Sequence, residues 1–75
     1  MKSKTIFTPE HREVVRKLRA ARLAAKLHQV DVAKKLRKPQ SFVSKMESGE
    51  RRLDIVELRR MAKLYGKPLS YFFPE

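Results

Sequence analysis

The chain has 75 residues, with 19 Lys or Arg against eight Asp or Glu, and a net charge of +11. This length suits a single small domain, and the excess of positive charge favours a polyanionic partner, either nucleic acid or an acidic membrane surface. The absence of cysteine excludes a disulfide scaffold and thiol chemistry. Two histidines are too few for a convincing metal cluster, and we expect neither a metal nor a cofactor.

The ends of the chain carry no targeting signal that we recognise. No apolar run approaches the roughly 18 residues of a membrane span, and the opening MKSKTIF is too short for a signal peptide. These observations predict a cytoplasmic protein without a membrane partner. We interpret residues 1–8 as a flexible N-terminal arm and residues 9–75 as one domain.

Proline, glycine and capping residues divide the domain into short segments with helical periodicity. In the first, TPEH, Thr8 can cap a helix and Pro9 suits its first turn, which predicts a helix over about residues 9–25. The second covers about residues 29–36, and its Ala33 is small enough to lie where two helices cross.

The third segment begins at Pro39 and ends at Gly49, a typical left-handed cap. The fourth begins at Asp54, with Glu57 three residues later as in a capping box, and ends at Gly66. Its predicted apolar stripe consists of Ile55, Leu58, Met61, Ala62 and Tyr65. A last turn follows Pro68. The sequence therefore predicts an all-α, compact bundle of five short helices.

The third segment has a polar side that lacks the Glu and Lys pairs of an ordinary exposed helix. On a helical projection this side spans an arc of about 140° and contains Gln40, Ser41, Ser44, Lys45 and Ser48. Val43 and Met46 lie opposite and face the core, while Phe42 lies on the boundary. Glutamine suits the major-groove edge of adenine, and lysine suits guanine or phosphate. A plain solvated side is the alternative, because every amphipathic helix has one.

The order of the segments favours DNA binding. A short helix, a tight turn at LRKP and a helix with small polar side chains form the pattern of a helix-turn-helix motif. Lys38 precedes the polar side, and Arg51 and Arg52 follow it. This placement suits a duplex backbone that passes both ends of a reading helix.

From Arg22 to about Phe72 the chain resembles the phage repressor and Cro-like (XRE-type) helix-turn-helix family. The resemblance rests on QSFVSKMESGERR, of which the first ten residues are the most specific part, and on LYGKPL. Single matching residues outside these stretches are Arg22, Leu27, Gln29, Ala33, Leu36, Leu58 and Ala62. The resemblance implies a lambda-repressor-like fold. It also implies a sequence-specific DNA-binding regulator of transcription that is not an enzyme.

The resemblance also implies roles for single residues. Gln40, Ser41, Ser44 and Lys45 match positions that read bases. Gln29 matches a glutamine that binds a phosphate and braces the reading helix, and Ser48 matches a position that contacts the DNA backbone.

Arg22 and Glu47 match a pair that forms a salt bridge beneath the reading helix. Glu47 points inward from the polar side, so its charge needs a partner. The alternative is an exposed carboxylate of little energetic consequence.

The chain departs from the family near its helix ends. Lys26 and Arg37 stand where the family often has glycine, and a left-handed backbone at such residues costs roughly 1 kcal/mol. His28 and Pro39 replace the usual hydroxyl caps. The basic residues Lys26, Arg37 and Lys38 add positive charge near the DNA.

We expect a homodimer that places two reading helices about 34 Å apart in successive major grooves. Its simplest expected role is that of a repressor. The candidate dimerisation residues are Leu69, Tyr71, Phe72 and Phe73. Three aromatic residues exceed what a small core absorbs, so at least one is expected at the interface. The alternative is that all of them complete the core of one chain.

Other functions remain open at this point. An antitoxin would bind DNA and also a toxin, here an unknown protein partner, through the MKSKTIF arm or the C-terminal aromatic residues. A membrane-active peptide is disfavoured because the charges are spread over all helices, and an RNA-binding protein because the aromatic residues form no stacking platform. An enzyme is the least favoured class, since such a small core offers little room for a dry pocket.

Overall fold

The computed structural model describes residues 8–73. Within this range the chain forms four α-helices and one short 3-10 helix, and no strand. The elements are α1 Pro9–Ala24, α2 Gln29–Leu36, α3 Gln40–Glu47, α4 Ile55–Tyr65 and the 3-10 helix Leu69–Phe72. The all-α prediction is confirmed, except that the fifth predicted helix is a single 3-10 turn. Of the predicted arm, residues 1–7 lie outside the described range, and Thr8 forms the start of α1.

The helices begin and end at residues that the sequence marks. The hydroxyl of Thr8 accepts a hydrogen bond from His11 N–H at 3.2 Å. Asp54 accepts one from Val56 N–H at 2.7 Å, and Glu57 accepts one from Asp54 N–H, which completes the predicted capping box. Gly49 and Gly66 have φ angles of 82° and 72° after α3 and α4. These caps satisfy the backbone groups that helix ends leave without partners.

Both turns of the helix-turn-helix region contain a left-handed residue other than glycine. Lys26, before α2, has a φ of 61°, and Arg37, before α3, has a φ of 58°. Asp31 accepts a hydrogen bond from His28 N–H at 2.8 Å, which is the bond that the third residue of a helix makes in a capping box. The turns therefore form with residues that make them more strained than glycine would.

The core lies between the inward faces of all five elements. α2 packs mainly on α3, while α1 contacts α3, α4 and the 3-10 helix. The largest completely buried side chains are Leu18, Val32, Val43, Met46, Met61 and Phe72. Ala33 is buried as predicted. None of the helices in residues 8–73 is long and apolar enough to cross a membrane.

Two predictions about single apolar residues need correction. Ile55 is 60% exposed, because as the first residue of α4 it borders an open groove at the edge of the core. Phe72 is completely buried, and its ring meets that of Tyr71 edge to face at 5.0 Å between centroids. The side chain of Phe72 therefore belongs to the core of its own chain and does not fit the predicted dimer contact.

Candidate nucleic-acid interface

The polar side of α3 lies on the surface of the protein. We call it the outer face of α3, and it consists of the exposed side chains of Gln40, Ser41, Ser44, Lys45 and Ser48. Val43 and Met46, on the opposite side, are completely buried. Among residues 8–73, the side chains of Ser41, Ser44 and Lys45 have no hydrogen-bond or ion-pair partner. Their polar groups are therefore open to an external partner.

A buried ion pair holds α3 from beneath. The Arg22 guanidinium donates two hydrogen bonds to the Glu47 carboxylate, from Nε to Oε2 at 2.7 Å and from Nη2 to Oε1 at 3.0 Å. The two side chains are only 7% and 3% exposed. Hydrogen bonding of the guanidinium to the Glu47 carboxylate raises the pKa of Arg22. Since Arg22 also donates to the carbonyl oxygen of Leu27 at 2.9 Å, one guanidinium joins α1, the first turn of the motif and α3.

Gln29 connects the two ends of α3. Its Nε2 donates to Glu47 Oε1 at 3.0 Å, and its Oε1 accepts a hydrogen bond from Gln40 Nε2 at 3.4 Å. A glutamine amide carries two N–H donors, and the second donor of Gln29 has no partner among residues 8–73. The first residue of α2 therefore braces α3, and the same side chain orients Gln40.

Two flanking cations meet at one aromatic ring. Phe42 is only 9% exposed, yet Lys38 Nζ lies 5.3 Å from its ring centroid and the Arg51 guanidinium carbon lies 4.2 Å from it. Arg51 also pairs with Glu57 at 3.2 Å. The loop after α3 thus brings Arg51 to the same ring that Lys38 contacts from the turn before α3. Cation–π attraction and the ion pair limit their movement.

Arg52 and Ser48 are the remaining residues that the sequence assigns to the DNA backbone. Arg52 is exposed, and burial and then the charge of Arg52 lower the pKa of His11 in the first turn of α1. Ser48 Oγ donates to the carbonyl oxygen of Lys45 at 3.0 Å. A hydroxyl has a single hydrogen to donate, so Ser48 must exchange this bond to donate to a phosphate.

The comparisons with known proteins decide the family. The helix-turn-helix family model HTH_3 matches residues 18–72, which include α2, the turn, α3 and α4. The chain belongs to the Cro/C1-type (XRE) helix-turn-helix family. A comparison with curated proteins found no match. Domains of this family bind DNA, so α2 and α3 are the two helices of a DNA-binding motif.

In this Cro/C1-type domain the candidate dimerisation residues lie in different surroundings. Phe73 is 44% exposed, whereas Leu69 and Tyr71 are half-buried against the core. Lys17 and Lys67 further cover the ring of Tyr71, at 5.6 and 4.8 Å from its centroid. Phe73 lines an apolar groove together with Leu53 and the exposed Ile55. Of the four candidates, Phe73 is therefore the most accessible to a second chain.

Sequence reasoning found the ion pair and the polar side but missed two supporting contacts. The hydrogen bonds of Gln29 depend on how α2 packs against α3, which no local pattern encodes. The ring of Phe42 had a usable signal, since its place at the edge of the apolar side indicates a residue that contacts both core and surface. Both contacts position residues of the DNA-binding motif.

Proposed function

We propose that the protein is a sequence-specific regulator of transcription that reads the major groove of double-stranded DNA with the outer face of α3. The observation that carries this proposal is a short helix anchored from beneath by a buried ion pair, with small, unpaired polar side chains on its outside. Ser41 and Ser44 allow the helix backbone to approach the base edges. Gln40 suits adenine, and Lys45 suits guanine.

The proposed backbone contacts surround this face. The residues assigned to phosphates are Gln29, Lys38, Ser48, Arg51 and Arg52. The proximity of Lys38 and Arg51 to Phe42 supports a pair of cations on one strand, and the second amide N–H of Gln29 supports a further contact. Such contacts fix the register of the protein on the duplex without reading sequence.

We propose that two copies bind a roughly palindromic site, with their α3 helices about 34 Å apart. The exposed side chains of Ile55 and Phe73, around the apolar groove beside Leu53, support an interface at this place. Each chain carries a net charge of +11, so two copies repel each other in solution. We therefore expect the dimer to form chiefly on DNA, which neutralises that charge.

The regulator acts most simply as a repressor in the cytoplasm, by occupying an operator that other proteins need. We assign it no enzymatic activity. An antitoxin would use the same DNA-binding face and add a toxin as protein partner. A neighbouring reading frame for a small toxin would favour that second function.

The test of the proposal is selection of bound duplexes from random DNA, repeated at two salt concentrations. We expect enrichment of a two-fold symmetric sequence whose half-sites are separated by about one helical turn, or 10 base pairs. Recovery of sequences indistinguishable from the starting pool would contradict sequence-specific reading. Sedimentation of the complex with a selected site should give two chains per duplex, and Phe73→Ser with Ile55→Ser should leave one chain on a half-site.

A further inference from the structure

A second basic surface lies between the C-terminal parts of α2 and α4. It is a groove of about 530 Å³, which we call the α2–α4 groove. Its lining residues are Lys35, Leu36, Arg37, Arg60, Lys63 and Leu64. None of the residues assigned above to bases or phosphates lines it.

The groove combines a cationic rim with an apolar floor. The four basic residues of the rim are exposed, and Leu36 and Leu64 are half-buried. Because α2 packs mainly on α3 and α4 packs mainly on α1, the two leucines are left partly uncovered between the helices. In the range 8–73, none of the four rim cations pairs with a carboxylate.

Helix dipoles explain only part of this rim. Lys35 and Lys63 lie in the last turns of α2 and α4, where a positive charge is favourable for the helix itself. Arg60 lies in the middle of α4 and gains nothing from that effect. Arg37 occupies a left-handed position with a φ of 58°, where glycine would be less strained. The concentration of charge around two leucines therefore needs a further reason.

We propose that the α2–α4 groove binds an acidic amphipathic segment of a partner protein. Carboxylates of the segment pair with the rim, and its apolar side chains cover Leu36 and Leu64. A second DNA backbone fits less well, because phosphates and sugars offer little apolar surface to cover the leucines. A second copy of this chain also fits less well, since its net charge of +11 repels the rim.

The location of the groove lets DNA and the acidic segment bind to the protein at the same time. The rim and floor share no residue with the outer face of α3, so occupation of the groove leaves the polar side chains of α3 uncovered. A partner with such a segment would thus be recruited to the operator by the DNA-bound protein. Binding of the segment in the groove goes beyond the DNA-binding proposal and does not depend on it, whereas recruitment to the operator rests on that proposal.

The test uses a fluorescein-labelled synthetic peptide with leucines at helical spacings of three and four and glutamates at the other positions. Fluorescence anisotropy measures its affinity for the full chain. The double variant Lys35→Glu with Lys63→Glu should weaken binding at least about tenfold, which corresponds to about 1.4 kcal/mol. The matched control is Lys34→Glu with Arg59→Glu, which changes the net charge equally at exposed positions outside the groove. We expect the control to retain most of the affinity.

Three results would overturn the proposal. Equal loss in the groove and control variants would mean that only net charge matters. Equal binding of a peptide with serine in place of each leucine would mean that the apolar floor has no role. A larger loss of DNA affinity in the groove variant than in the control would assign the groove to DNA.

Circular dichroism checks that each variant is folded. If the glutamate variants unfold, the milder pair Lys35→Gln with Lys63→Gln is compared with Lys34→Gln and Arg59→Gln by the same criteria. Because the peptide assay contains no DNA, failure of the groove proposal and failure of the DNA-binding proposal give separate results.

Discussion

The two sides of α3 are held by different interactions. On the underside, Glu47 is enclosed by Arg22 and Gln29, and Val43 is completely buried. On the outer face, Ser44 is exposed and has no polar partner among residues 8–73. The underside fixes the position of the helix, and the outer face is open to the proposed DNA ligand. In the proposed function, position and recognition are therefore carried by different residues of an eight-residue helix.

One residue connects the two sides. Gln40 belongs to the outer face, yet its amide donates to Gln29, which in turn donates to Glu47. A change on the underside can therefore reorient Gln40, which we propose to contact a base, whereas Ser41, Ser44 and Lys45 lack such a link within residues 8–73. The predictions below test how far the separation holds, in order of decreasing effect.

The largest effect is expected from Glu47→Ala on the underside. This change leaves the Arg22 guanidinium buried without its carboxylate, and removal of one partner of a buried pair costs about 3–5 kcal/mol. Since small domains have total stabilities of about 5–15 kcal/mol, urea unfolding should show a large loss. Glu50→Ala, at an exposed position three residues away, is the control. Equal stability of the two variants would refute the anchoring role of Glu47.

The outer face should show the opposite behaviour. Ser44→Glu places a negative charge against the duplex, and like charges at an interface cost several kcal/mol, so DNA affinity should fall at least about a hundredfold. The melting temperature should change little, because the site is exposed and unpaired. Ser70→Glu, at an exposed position of the 3-10 helix, makes the same charge change elsewhere. Similar DNA affinities of the two variants would place the DNA away from Ser44.

Arg51 tests how far the DNA-binding surface extends beyond the outer face. Arg51→Ala should make the negative slope of log K against log salt shallower by about 0.9, the value for one phosphate contact. It should also weaken binding to all sequences alike. Arg59→Ala removes an exposed arginine of α4 and serves as the control. An unchanged slope would show that Arg51 serves only its contacts with Phe42 and Glu57.

The turn between α2 and α3 should tolerate glycine. Arg37→Gly should stabilise the fold by up to about 1 kcal/mol, because Arg37 has a left-handed backbone that glycine adopts more readily. Lys34→Gly, within α2, should instead destabilise it by about 1 kcal/mol. Thermal unfolding of the two variants should therefore move in opposite directions. A loss of stability in both would mean that the side chain of Arg37 stabilises the turn.

The smallest expected effect concerns His11, which lies away from α3. Burial and the charge of Arg52 lower its pKa below the ordinary 6.5, so the unfolded chain takes up this proton at a higher pH than the folded chain. Stability should therefore fall as the pH drops below about 7 towards the folded pKa, and this loss should stop below that value. His11→Gln should remove the loss in a comparison of unfolding at pH 7.5 and 5.5. The same pH dependence in both proteins would exclude His11 as its source.

Local chemistry made most of the fold predictable. Thr8 and Pro9, Pro39, Asp54 with Glu57, and Gly66 mark helix ends through backbone geometry and hydrogen bonding, which depend on neighbours in sequence. The starts of α1 and α3 and both ends of α4 agree with these signals. The burial of Val43 and Met46 follows from helical periodicity alone.

Tertiary packing accounts for what was missed. Ile55 has the right spacing for the stripe of α4 but borders an open groove, so that it remains exposed. Phe72 was expected to be shared with a second chain, yet the short 3-10 helix turns it into the core. The meeting of Lys38 and Arg51 at Phe42 depends on the path of the loop after α3. Each of these outcomes depends on an element distant in sequence.

Ser41, Ser44 and Lys45 have no polar partner among residues 8–73, and this has an evolutionary consequence if they read bases as proposed. We expect substitutions at these three positions to alter which bases are recognised without disturbing the framework that holds α3 in place. New operator preferences can therefore arise in few mutational steps, and a randomised library at these codons would yield folded proteins with different target sequences.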